Sequence, residues 1–94
     1  MTVSGPHPSR SDAYAAAQRA MADLKSAVFT VLEASGSKGL RNADVGRALG
    51  IYTGHEKHEG HISRTLLAIM ETEGVAVQEP ETKLWRLTGF PALE

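Results

Sequence analysis

The chain has 94 residues, of which 41% are hydrophobic, and its formal net charge is −1. This length and composition predict one small globular domain and exclude a disordered chain. The absence of cysteine excludes disulfide bonds and thiolate metal sites. No apolar run approaches the ~20 residues of a membrane span. Residues 1–10 lack the apolar stretch of a secretory signal. We therefore expect a cytoplasmic protein without membrane contact.

Two short segments flank the predicted domain. Residues 1–10 contain two prolines, a glycine and two serines, a composition typical of a flexible arm. We expect the domain over 11–90 and a loosely held tail over 91–94.

The first predicted helix is long and covers 12–34. Ser9 and Asp12 have the spacing of a capping box, although Ser11 or Asp12 itself fits the N-cap equally well. Apolar residues then recur at a 3-4-3-4-3 spacing, which places one stripe on the helix: Tyr14, Ala17, Met21, Leu24, Val28 and Val31. From Leu24 onwards this stripe predicts core. Its N-terminal half is either a dimer seam or a helix lying across its own domain, and we favour the seam and hence a homodimer.

A short second helix is predicted over 43–49, with Asn42 as N-cap and Gly50 as its end. A loop follows over 51–60, and then a third helix over 61–73. On a helical wheel with Ile62 set at zero, the apolar residues of this helix cluster on one side. The opposite side contains His61, Arg64, Ala68, Glu71 and Thr72.

Two β-prone segments, 75–78 and 84–87, flank a turn that contains Pro80. Proline in the turn rather than in a strand favours a hairpin. The predicted fold class is mainly α with a small β-hairpin.

Three motifs in this order resemble the winged helix-turn-helix family of bacterial transcription regulators. Residues 45–51 (VGRALGI) resemble its second helix, 62–75 its recognition helix and 85–88 (WRLT) its returning strand. The resemblance implies a three-helix bundle with a C-terminal two-stranded wing, here with a long N-terminal helix. In such a bundle the small residue Gly46 lets the second helix cross the third closely.

The resemblance also implies sequence-specific binding of double-stranded DNA, with the third helix in the major groove. Arg64 is the best candidate for reading a base, because arginine can contact guanine through two hydrogen bonds. His61 and Ser63 lie near the helix start, Ala68 shares the polar side, and Lys57 and Arg41 are candidates for the DNA backbone. The candidate DNA-binding residues are therefore Arg64, His61, Ser63, Lys57, Arg41 and Ala68.

Two features depart from the family pattern. The connection between the second and third helices is about ten residues instead of a tight turn. The wing carries Glu79 and Glu81 against the single Lys83, so we do not expect it to enter the negative minor groove.

These departures keep two alternatives open. In the first, the domain is a DNA-recognition accessory of a larger complex, such as a restriction or repair system, and its 51–60 loop docks a partner. In the second, the domain is a protein–protein interaction module. The histidines around this loop do not have the spacing of a helical zinc motif. We expect no metal, no cofactor and no catalysis.

Overall fold

The computed structural model describes residues 9–54 and 59–91. Most of the predicted arm, the tail beyond 91 and the centre of the 51–60 loop lie outside these residues. In chain order the elements are α1 (Arg10–Ser35), a short 3₁₀ turn (Gly36–Lys38), α2 (Asn42–Ala48), α3 (His61–Thr72), β1 (Ala76–Gln78) and β2 (Trp85–Leu87). The prediction of a mainly helical chain with a small β-hairpin after the helices is confirmed.

Helix α1 begins at the predicted capping box. The Ser9 hydroxyl accepts from the Asp12 N–H, and the Asp12 carboxylate accepts from the Ser9 N–H, both at 3.1 Å. Residues 10–20 are all exposed, whereas Val28 and Leu32 are fully buried. The C-terminal half of α1 is therefore core, as predicted, and the N-terminal half projects from an elongated molecule of 64 × 32 × 20 Å.

The core lies where α1, α2, α3 and the hairpin meet. Trp85 belongs to it, with 6% of its surface exposed, and joins the hairpin to the helices. The partly buried Met21, Leu24 and Leu49 pack around its edge. The fully or nearly buried apolar residues are Val28, Leu32, Val45, Leu66, Leu67, Met70, Ala76, Trp85 and Leu87.

Helices α2 and α3 cross closely at Gly46, as the sequence predicts. A Cβ atom at Gly46 would lie 2.9 Å from the Ser63 hydroxyl of α3 and 3.0 Å from the Tyr52 side chain. The two ends of the long connection between the helices lie close together, because the Gly60 N–H donates to the Thr53 carbonyl at 2.9 Å.

The hairpin pairs β1 and β2 antiparallel, with Val77 opposite Arg86. A third segment extends this sheet: Leu40, between α1 and α2, exchanges backbone hydrogen bonds of 2.9 and 2.6 Å with Trp85. The spatial order is thus Leu40, β2, β1. Each strand begins one residue later than predicted, and the residues before them, Val75 and Leu84, are half-buried.

Within 9–54 and 59–91, no helix combines the length and the apolar character needed to cross a membrane.

Candidate nucleic-acid interface

One side of α3 packs into the core and the other is open to solvent. The buried side consists of Ser63, Leu66, Leu67 and Met70, which follow the i, i+3, i+4, i+7 pattern of a helix stripe. The open side, here called the α3 face, consists of His61, Ile62, Arg64, Thr65, Ala68, Glu71 and Thr72.

Ser63 does not belong to the α3 face, and its prediction as a DNA-binding residue is corrected. Its side chain is fully buried. The hydroxyl lies 2.7 Å from Asn42 Oδ1, to which it donates, and the Asn42 amide donates to the Gly60 carbonyl at 3.1 Å. Ser63 therefore joins the start of α3 to the start of α2.

Ile62 replaces Ser63 on the open side. The sequence predicts Ile62 within the buried arc, whose middle is near Leu66, but 36% of the surface of Ile62 is exposed. The real buried side is rotated by roughly 50° from the predicted one, on a wheel of about 100° per residue. Ser63 can occupy the buried side because Asn42 accepts its hydrogen bond and Gly46 leaves it room.

Arg64, the principal candidate, is exposed on this face. One of its guanidinium nitrogens, Nη2, donates to the Glu59 carbonyl at 3.3 Å. This contact folds the side chain back against the first turn of α3. A single exposed hydrogen bond of this length is weak, so releasing the guanidinium to a ligand costs little.

The two threonines of the face are engaged by their own helix. The Thr65 hydroxyl donates to the His61 carbonyl at 2.8 Å, and the Thr72 hydroxyl donates to the Ala68 carbonyl at 3.1 Å. Such bonds are common for threonine on an open helix surface. Their hydroxyl oxygens retain the capacity to accept from a ligand.

The six predicted residues thus separate into four groups. Arg64, His61 and Ala68 share the α3 face. Arg41 is exposed at the N-cap of α2, where its N–H donates to the Asp44 carboxylate at 3.2 Å. Ser63 is buried, and Lys57 lies outside the described residues.

Sequence reasoning did not select a second exposed arginine of α2 as a candidate. Arg47 is exposed on α2, and its guanidinium carbon lies 4.5 Å from the centre of the Tyr52 ring. Such a distance is within the range of a cation–π interaction. In the sequence, only the position of Arg47 two residues after the buried Val45 indicates that it points outwards. Nothing in the sequence predicts its contact with Tyr52.

Charge is distributed unevenly along α3. Glu71 lies in its last turn and Glu73 at its C-cap, and Glu73 is paired with Lys25 of α1 at 2.9 Å. From His61 to Met70 the helix contains one arginine and no carboxylate. The N-terminal two turns of the α3 face are therefore its most suitable part for contact with a polyanion.

The described residues contain no group of three or more side chains placed to hold a metal ion. His55 and His58 of the histidine-rich loop lie outside them. Comparison of the chain with protein-family models found no match. Comparisons with the curated proteins and with the solved structures also found no match.

Proposed function

We propose that this chain is a winged helix domain that binds double-stranded DNA sequence-specifically and acts as a transcription regulator in the cytoplasm. It acts as a homodimer through α1, without catalysis or a cofactor. The observation that carries the proposal is the α3 face, which no described element covers and whose first two turns contain no carboxylate.

The topology supports the winged helix assignment. The hairpin follows α3 directly, and Leu40 adds to β2 from the segment between α1 and α2. This one-residue bridge to the last strand of the hairpin joins the hairpin to the helical bundle. Helix α3 is thereby packed against α2 on one side and the hairpin on the other, and it presents its remaining surface outwards.

Each side chain at the start of the α3 face suits a type of contact in the major groove. Arg64 can donate two hydrogen bonds to guanine, and the methyl groups of Ile62 and Ala68 can pack against a thymine methyl. Thr65 can exchange a hydrogen bond with either a base or a phosphate. This role gives a use for the exposed Ile62, because an apolar side chain on a solvent-exposed surface is stabilised when it packs against a thymine methyl group.

The backbone contacts come from α2. Arg41 is exposed at its start and Arg47 near its end. Stacking on Tyr52 restricts the Arg47 side chain before it binds, which lowers the entropy lost on contact with a phosphate. Arg41 and Arg47 would neutralise two phosphates per subunit and four per dimer, which predicts a slope of about −3.6 in log Kobs against log[salt], at roughly −0.9 per neutralised phosphate.

A protein–protein interaction module, alone or as an accessory of a larger complex, is the second candidate. It is favoured by the length of the connection between α2 and α3, which exceeds the tight turn of a helix-turn-helix. The net charge of −1 also favours it, because a chain without excess positive charge has no general attraction to nucleic acid.

Selection of bound sequences from a random duplex library separates these candidates. We expect enrichment of a short motif with two-fold symmetry, and loss of the bound fraction as salt rises with the slope given above. The intact chain is used at low salt, with an Arg41→Ala, Arg47→Ala double variant for comparison. The double variant should bind all duplexes more weakly without changing the motif. Absence of any retained duplex at low salt would refute DNA binding and leave the protein–protein candidate.

A further inference from the structure

No other described residue of the subunit covers the projecting half of α1. Residues 10–20 are exposed throughout and extend about 16 Å at 1.5 Å per residue. Tyr14 is 70% exposed, the highest fraction among the large hydrophobic side chains of the described residues. Helices without tertiary contacts are marginally stable in water, so this segment gains from a second surface.

A groove of about 580 Å³ lies beside the other half of the same helix. Its apolar wall consists of Ala22 and Phe29 of α1 with Met70 and Val75 from α3 and the segment after it. Phe29 is 40% exposed. The ion pair of Lys25 with Glu73 lies at its edge.

The exposed residues of the two halves lie on one stripe. Tyr14, Gln18, Ala22, Lys25 and Phe29 are spaced 4-4-3-4, which keeps them within about 80° around the helix. The stripe differs from the predicted seam of Tyr14, Ala17 and Met21, because Met21 already packs against the core of its own subunit.

The stripe is complementary to the same stripe of a second, antiparallel copy. When two α1 helices lie antiparallel about an axis between residues 21 and 22, Tyr14 of one copy faces Phe29 of the other. The small Ala22 lies at the axis, where the helices must approach closely. Arg10 faces Glu33 in the same register, and neither makes an ion pair within the described residues.

We propose that a second copy of this chain binds along α1 in this antiparallel register, with Tyr14 of each subunit in the groove of the other. The inference specifies the homodimer in the proposed function and rests on it. A contact about 36 Å long and about 10 Å wide covers roughly 360 Å² of each copy. Because stable specific interfaces bury about 1,200–2,000 Å² in total, we expect a reversible dimer that dissociates at micromolar concentration.

Disulfide cross-linking tests the register directly, since the chain contains no cysteine. Tyr14→Cys and Phe29→Cys variants are oxidised separately and as a mixture, each as the full chain. The antiparallel register predicts a cross-linked dimer predominantly in the mixture. Ala16→Cys, on the opposite side of α1 and equally exposed, is the matched control and should remain unlinked when mixed with Phe29→Cys.

Sedimentation of the cysteine-free chain provides the second measurement. Tyr14→Glu should raise the dimer dissociation constant at least tenfold, whereas Ala16→Glu should leave it within twofold. Self-linking of Tyr14→Cys as strong as in the mixture would overturn the register. A chain that stays monomeric at several hundred micromolar would overturn the dimer altogether. If the dimer fails but DNA binding holds, Tyr14→Glu should still retain duplex DNA at high protein concentration. If DNA binding itself fails, neither Tyr14→Glu nor the parent chain should retain it.

Discussion

Replacement of Arg64 by alanine tests base reading at the α3 face with little disturbance of the fold. Arg64 is exposed, and the 3.3 Å contact to the Glu59 carbonyl is the only hydrogen bond that its guanidinium makes with the described residues. Exposed substitutions of this kind usually change stability by no more than about 0.5 kcal/mol. The melting temperature of Arg64→Ala should therefore stay close to that of the parent chain.

DNA binding should respond much more strongly. A guanidinium that makes two hydrogen bonds to guanine contributes about 1–3 kcal/mol of discrimination against the wrong base. At 1.4 kcal/mol per factor of ten, this is roughly a 5- to 140-fold loss of affinity for the selected site. Fluorescence anisotropy with the selected duplex, and with variants changed at each base pair, measures both the affinity and the position at which preference is lost.

Two further substitutions give this measurement its controls. Arg64→Lys keeps the charge but loses the planar pair of donors. If Arg64 contacts only phosphate, the lysine variant should restore affinity. If Arg64 reads a base, the lysine variant should fail to restore the base preference. Thr72→Ala changes the far end of the same face, where the hydroxyl bonds only to its own helix, and should leave affinity within twofold. Unchanged affinity and unchanged preference in Arg64→Ala would refute the assignment of α3 as the reading helix.

Three further predictions concern stability, measured by thermal or denaturant unfolding. Leu66→Ala removes a side chain that is only 2% exposed and should cost about 2–5 kcal/mol; a cost below 1 kcal/mol would show that this side of α3 is not core. Gly46→Ala places a Cβ 2.9 Å from the Ser63 hydroxyl and should destabilise the fold by about 1–3 kcal/mol. Gly89→Ala, whose Cβ would have nothing within 4 Å, is the control and should leave stability unchanged. Equal results for the two variants would disprove the close helix crossing. Lys83→Gly should stabilise by up to about 1 kcal/mol, because Lys83 has a φ of 67°, which glycine adopts without steric cost; a loss of stability would contradict the turn geometry.

The sequence contains strong local signals for the helices and the hairpin. The capping box of Ser9 and Asp12 and the glycines at 50 and 74 place helix ends within a residue or two of the observed ones. These signals depend on hydrogen bonds and backbone angles of a few neighbouring residues, and a single sequence displays them. The bridge at Leu40 has no such signal, because its pairing with Trp85 joins segments 45 residues apart.

The candidate site was predicted less accurately, for a related reason. A helical wheel weights each residue by its own hydrophobicity and so placed Ile62 inside, whereas Ser63 was predicted as a DNA contact from its position near the helix start. The true arrangement depends on partners from α2: Asn42 accepts the hydrogen bond of Ser63, and Gly46 leaves space for it. The stacking of Arg47 on Tyr52 depends likewise on how the chain turns after α2. A sequence with a serine on a predicted core stripe, opposite a glycine and an asparagine, therefore suggests a polar helix crossing.

The same contacts hold the crossing of α2 and α3 despite the long connection between the two helices. The crossing is held by Gly46 against Ser63 and by the bond of Asn42 to the Gly60 carbonyl. The Gly60 N–H also donates to the Thr53 carbonyl, so the two ends of the connection are held close together. Gly60 directly precedes α3, and the carbonyl of Glu59 accepts from the Arg64 guanidinium. A partner that contacts Glu59 would therefore add or block contacts next to Arg64, where the proposed base contacts begin.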